Sequence, residues 1–132
     1  MAYEALILLP SDSDVSIEEV HRTLENYFAG DAREIAFSVA GNRLTIAFGD
    51  WNCYVALNSA PSVLEESKDL AAIFAKDRPD REAIAASGIR LEVAADDDDE
   101  MEYFNDYLMT VEKLGQYRGA KIWEGAQEEF IN

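Results

Sequence analysis

Hydrophobic residues along the chain change their spacing several times, and each change predicts a different element. Apolar residues dominate positions 3–9 until Pro10, which predicts a strand buried on both faces and therefore central in its sheet. They then recur at helical spacing up to Gly30, and Ser16 with Glu19 forms a capping box. The chain is therefore predicted to begin with a strand and an amphipathic helix.

An alternating pattern in the middle of the chain predicts an antiparallel meander. Apolar and polar residues alternate over 35–39 and again over 44–48, with a Gly-Asn turn signal between them. A Gly-Asp pair follows, and residues 53–57 then supply a third strand. We expect one face of this meander to be buried.

The second half of the chain returns to helical spacing. Ser62 and Glu65 form a second capping box, and a shorter helix that ends at Gly88 follows. Alternation resumes over 89–93 and predicts a strand, after which the acidic run 96–100 is expected to start the last helix.

These elements predict an α+β fold in a single two-layer domain over residues 1–132. Their order suits a mainly antiparallel sheet of five or six strands with the helices packed on one face. A chain of 132 residues can bury one core, whereas two cores would each be marginal. Residues 121–123 are expected to form a last edge strand, and such an edge near Lys121 leaves dimerisation open.

The net charge narrows the range of partners. Eleven basic against 27 acidic residues give a formal charge of −16, which repels nucleic-acid phosphates and anionic membrane surfaces. We therefore expect neither nucleic acid nor a membrane as partner. The same charge speeds encounter with a basic protein surface, although it also serves simply to keep a protein soluble.

Cysteine usage and the first residues favour a cytoplasmic protein. Cys53 is the single cysteine, so no internal disulfide is possible and a reducing compartment fits. Glu4 stands where a signal peptide would carry positive charge, and the apolar run that follows is short.

The segment 96–112 is the most distinctive part of the sequence, with eight acidic residues and no basic one. Four consecutive aspartates cannot all converge on one ion, so we expect no metal and no cofactor. Acidic residues at a helix start also complement the helix dipole, so the run has a structural explanation as well. Tyrosine beside acidic residues favours a protein-binding face, with Tyr103 and Tyr107 expected on the exposed flank of the last helix. The expected partner-binding residues are Asp97, Asp98, Asp99, Glu102, Tyr103, Asp106 and Tyr107.

These observations favour a non-enzymatic module that binds a basic protein surface. One concrete form, suggested by size and charge, is a bacterial immunity or inhibitor protein that neutralises a basic toxin or nuclease by mimicking its substrate's charge. The alternative is a small-molecule-binding domain with a pocket between sheet and helices. Its mouth would contain His21, Trp51 and Tyr54.

No constellation in the sequence assigns a catalytic residue. Asp12 and Asp14 lie just past a predicted strand, where Mg²⁺-assisted hydrolysis would place paired acids, but no β/α repeats follow to complete such a site. A nucleophilic pair of Cys53 and His21 would require the fold to bring the two together. Both possibilities rank below a binding function.

Overall fold

The computed structural model describes residues 3–132 and contains one antiparallel sheet of seven strands and four helices, which confirms the α+β class. The strands are β1 (Glu4–Leu9), β2 (Ile35–Ala40), β3 (Arg43–Phe48), β4 (Trp51–Asn58), β5 (Ile89–Ala95), β6 (Lys121–Glu124) and β7 (Glu129–Phe130). The helices are α1 (Ile17–Tyr27), α2 (Pro61–Phe74), α3 (Arg81–Ala85) and α4 (Phe104–Leu114). The sheet has one or two strands more than expected.

The strand order is β2-β3-β4-β5-β1-β6-β7. As predicted, β1 is central, because it pairs with β5 on one side and β6 on the other. The additional strand is β7, which pairs with β6. The strand over residues 121–123 is therefore not the last in the sheet, since β7 covers its outer side.

The helices are divided between the two faces of the sheet. Helices α1 and α4 cover the main core, to which β1 contributes Ala5 and Ile7. Helices α2 and α3 pack against the other face, where Leu8 lies with Ala71 and Ile84. Packing on one face thus holds for α1 and α4 only, because a strand with apolar residues on both faces needs a cover on each.

Two helix starts differ in how well their sequence signals predict them. Ser16 caps α1 as predicted, since its hydroxyl accepts a hydrogen bond from the Glu19 N–H. Helix α2 begins at Pro61 with Ala60 as the N-cap residue, so Ser62 lies inside the helix and does not cap it. Proline suits the first helical position because it has no N–H to satisfy.

Helix α4 begins later than predicted, at Phe104, so the acidic run lies in the loop 96–103 that joins β5 to α4. This loop lies at the end of the sheet where β5 finishes and β4 starts at Trp51. None of the helices in the described part of the chain is long and apolar enough to cross a membrane.

Candidate functional site

Asp98 anchors the loop 96–103 to the core. It is 6% exposed, and its carboxylate accepts hydrogen bonds from the Tyr3 hydroxyl at 2.7 Å and from the N–H groups of Glu102 and Tyr103, both at 2.9 Å. Burial alone would raise the pKa of Asp98, but these three hydrogen bonds outweigh it and the pKa lies below its usual range. Asp98 is thus an ionised structural residue.

Asp96 fastens the start of the same loop to β4. Its carboxylate accepts hydrogen bonds from the Tyr54 hydroxyl at 2.8 Å and from the backbone N–H and side-chain amide of Asn52, both at 3.0 Å. Burial raises its pKa, but the hydrogen bonds prevail and lower it overall. The Asp96 carbonyl also accepts a hydrogen bond from the Trp51 indole at 2.9 Å.

Two stacked aromatic rings lie beneath the loop. The rings of Trp51 and Tyr103 are 4.9 Å apart between centroids and nearly parallel, at 2°. Trp51 is buried, at 3% exposure, whereas Tyr103 is half-buried. The Tyr103 hydroxyl lies 3.4 Å from a carboxylate oxygen of Asp50, in the turn between β3 and β4. One face of the Tyr103 ring is therefore covered by the buried Trp51 ring, while the residue itself remains partly exposed.

A cleft of about 280 Å³, here called the acidic cleft, opens between the loop 96–103 and this turn. Among residues 3–132, its lining consists of Trp51, Tyr103 and seven acidic residues, with no basic residue. Those exposed to solvent are Asp50, Asp97, Asp99, Glu100 and Glu102. Four of the expected partner-binding acids, the exposed Asp97, Asp99 and Glu102 and the buried Asp98, therefore line one concave surface together with Tyr103.

Two other expected partner-binding residues lie elsewhere. Asp106 is 7% exposed, and its carboxylate accepts hydrogen bonds from both terminal nitrogens of Arg33, at 2.7 and 3.0 Å. The prediction that Tyr107 lies on an exposed flank is wrong, because it is 3% exposed and its ring stacks on Tyr3 at 4.8 Å. The reason is that this side of the chain faces the main core: Tyr107 belongs to it and Tyr103 packs against it. The Tyr107 N–H donates to the Tyr103 carbonyl at 3.1 Å, so both tyrosines lie on the same, covered side.

The pocket predicted around His21, Trp51 and Tyr54 does not form. Trp51 and Tyr54 are three residues apart on β4, so their side chains point to opposite faces of the sheet. His21 lies on α1 and stacks on Phe37, with ring centroids 5.8 Å apart. The structure therefore does not bring these three residues together.

The residues considered for catalysis and metal binding do not assemble into a site. Burial raises the pKa of the Cys53 thiol to about 12, so Cys53 is a protonated core residue at neutral pH. Asp12 and Asp14 are exposed, and Asp12 pairs with Arg118 at 3.1 Å. Within residues 3–132, no group of three or more His, Cys, Asp or Glu residues is arranged to hold a metal ion.

Three acids of the cleft, Asp50, Asp96 and Glu100, were not among the residues expected from the sequence. Asp50 forms part of a turn signal directly before Trp51, and that adjacency of acid and aromatic was available in the sequence. Its proximity to the loop 96–103 was not, because it depends on the pairing of β4 with β5.

Comparisons with known proteins give no family, relative or structural neighbour: no family model matches the chain, and neither a curated protein nor a solved structure matches it.

Proposed function

We propose that the protein is a non-enzymatic binding module whose acidic cleft receives a basic side chain of a partner protein. The observation that carries the proposal is the composition of the cleft: seven acidic residues line it together with the stacked rings of Trp51 and Tyr103, and none of its described lining residues is basic. A cation entering it would meet carboxylates on several sides.

Arginine is the side chain that best fits this chemistry. Its planar guanidinium stacks on aromatic rings and forms paired hydrogen bonds with carboxylates. Tyr103 offers a ring, and Asp97, Asp99, Glu100 and Glu102 offer carboxylates around it. The formal charge of −16 would also accelerate the approach of a basic partner.

The framework of the cleft is held in place before binding. Asp98 fixes the second half of the loop 96–103 through two backbone N–H groups, and Asp96 fixes its start through Asn52 and Tyr54. A loop that is already ordered loses little conformational entropy when a partner binds. This rigidity supports recognition by a formed surface.

More specifically, such a module would be an inhibitor of a basic enzyme, for example an immunity protein for a basic toxin or nuclease. Carboxylates spaced around the cleft would occupy the cationic surface with which such an enzyme holds its substrate. With one buried cysteine and no internal disulfide, such a protein would suit the reducing cytoplasm.

The cleft can be tested with a small probe, N-acetyl-arginine amide, titrated into ¹⁵N-labelled protein. We expect the largest NMR shift changes at the Trp51 indole N–H and at the amides of Asp97, Glu102 and Tyr103. N-acetyl-norleucine amide, which lacks the guanidinium, serves as the control ligand. Shift changes spread evenly over the exposed acids, or equal for both probes, would contradict the proposal.

A matched pair of variants separates the cleft from general acidity. The cleft variant neutralises four exposed acids of the cleft: Asp97→Asn, Asp99→Asn, Glu100→Gln and Glu102→Gln. The control variant neutralises four exposed acids on other elements: Glu18→Gln, Asp69→Asn, Glu82→Gln and Glu112→Gln. Both have the same net charge, and only the cleft variant should lose the arginine response.

A further inference from the structure

Strand β2 forms an open edge of the sheet. It pairs with β3 alone, in an uninterrupted register from Ile35 opposite Phe48 to Ala40 opposite Arg43. Its six residues include no charged residue and no proline, which are the usual protections of a sheet edge. Among the described residues, no hydrogen bond from another segment reaches its backbone. The strand is therefore available for pairing.

The hairpin geometry identifies which backbone groups point outward. Hydrogen-bonded and non-hydrogen-bonded pairs alternate along an antiparallel hairpin, beginning with the bonded pair that closes a two-residue turn. Here that pair is Ala40 with Arg43. The outward N–H and C=O groups of β2 therefore belong to Ile35, Phe37 and Val39.

A groove of about 320 Å³, here called the edge groove, lies beside β2. Phe28, Ile35 and Phe37 provide most of its apolar surface. The charged residues of its lining are Glu25, Asp31, Arg33 and Glu34, and the Arg33 guanidinium is already paired with Asp31 and Asp106. The apolar side chains also pack against the main core, so the groove lies on the face of the sheet that α1 covers. A strand added to β2 would direct every second side chain into it.

We propose that β2 and the edge groove bind an extended segment of a partner protein, which joins the sheet as an additional strand. Main-chain hydrogen bonds to Ile35, Phe37 and Val39 would hold the segment, and alternate apolar side chains would fill the groove. Basic residues at the two ends of the segment would approach Glu25 and Glu34. The expected ligand is thus an extended segment with alternate apolar residues at its centre and basic residues at its ends.

Charge complementarity favours this occupant over a second copy of the chain. Two copies each carry a formal charge of −16, and β2 brings no basic residue to offset their repulsion. The edge groove shares no lining residue with the acidic cleft. The two proposals can therefore fail separately.

The test is amide hydrogen exchange on the full chain. The probe is an acetylated, amidated decapeptide in which six residues of alternating valine and threonine are flanked by two lysines at each end. At a peptide concentration of about ten times its Kd, the amides of Ile35, Phe37 and Val39 should exchange about tenfold more slowly. The same decapeptide with glutamate in place of lysine should leave them unchanged. Protection confined to the loop 96–103, or no protection, would overturn the proposal, as would protection that grows with protein concentration in the absence of peptide.

Paired variants test the two contributions. Val39→Pro removes one outward N–H at an edge position where proline is tolerated. This variant should bind the lysine-flanked peptide about fivefold more weakly than Val39→Ala does. Neutralising Glu25 and Glu34 together should also weaken binding, whereas neutralising Asp69 and Glu82, which lie on the helices of the other face of the sheet, should not. If Val39→Pro does not fold, the comparison of the neutralised groove acids with the neutralised control acids still tests the proposal. Equal affinities in that comparison, or between folded Val39→Pro and Val39→Ala, would overturn it.

Discussion

Neighbouring acidic residues in the loop 96–103 have opposite roles. Asp97 is exposed, whereas Asp98 is covered and accepts three hydrogen bonds. Four aspartates in a row carry the same local signal, so the sequence could not separate them. The difference arises from Tyr3, which is 95 positions away and reaches Asp98 only through the fold.

Asp106 illustrates a residue whose contribution is to stability. We expect Asp106→Asn to lower the free energy of unfolding by about 1–3 kcal/mol, because it removes the charge from a buried, paired contact with Arg33 and leaves the guanidinium only its contacts with Asp31. Urea denaturation measures the change, with Asp69→Asn on the exposed side of α2 as the control. Equal effects of the two substitutions would contradict this role.

The buried hydroxyl of Tyr3 should make the free energy of unfolding fall at alkaline pH. Burial and the hydrogen bond to Asp98 raise the pKa of Tyr3 to about 12, from an ordinary value of about 10. Because the folded state holds this proton more tightly, the contribution is complete below about pH 10 and is lost as the pH rises towards 12. Thermal unfolding across this range should show the loss, and it should be smaller in Tyr3→Phe. An equal pH dependence in both proteins would be inconsistent with the assignment.

At the scale of elements, the order of strands and helices was predictable up to β6. Period-two and helical patterns are local, and Ser16 caps α1 as its sequence indicates. The tail strand β7 was missed because two residues are too short for a pattern, and its pairing with β6 is what defines it. The late start of α4 was missed because the acidic residues that resemble a helix start instead fold into a loop fixed by Asp98.

The connection between α4 and β6 depends on a glycine. Gly119 has a φ of +72°, and a Cβ there would lie 2.6 Å from Pro10 Cγ. Gly119→Ala should therefore lower the free energy of unfolding by about 1–2 kcal/mol. Gly30→Ala has open space around it, so it should leave stability unchanged or raise it by about 0.4–1 kcal/mol. Urea denaturation compares the two, and equal stability would contradict the conformational requirement.

Over the whole molecule, the negative charge indicated by the composition is densest around the acidic cleft, where it could bind a basic partner. Composition indicated an acidic protein, and the run 96–100 indicated where the charge is densest. The concave shape and the ring support beneath it required β4 and β5 to be adjacent, which no local pattern specifies. The acidic character of the site could thus be predicted from the sequence, whereas its concave geometry could not.

The same charge predicts a response to salt. A formal charge of −16 repels itself in the compact state, and salt screens that repulsion. The melting temperature at pH 7 should therefore rise when NaCl is increased from about 0.02 M to about 0.3 M, over which the screening length falls roughly fourfold. A melting temperature that falls with added NaCl would show that attractive ion pairs dominate instead.

A pull-down from native lysate with the wild-type chain, the cleft variant and the control variant, at about 0.15 M and about 0.5 M salt, shows whether the acidic cleft binds the partner. The wild type and the control variant should retain the same basic protein at the lower salt and release it at the higher. The cleft variant should fail to retain that protein at either salt concentration. Equal retention by the cleft variant and the control variant would contradict the claim that the acidic cleft is the binding site.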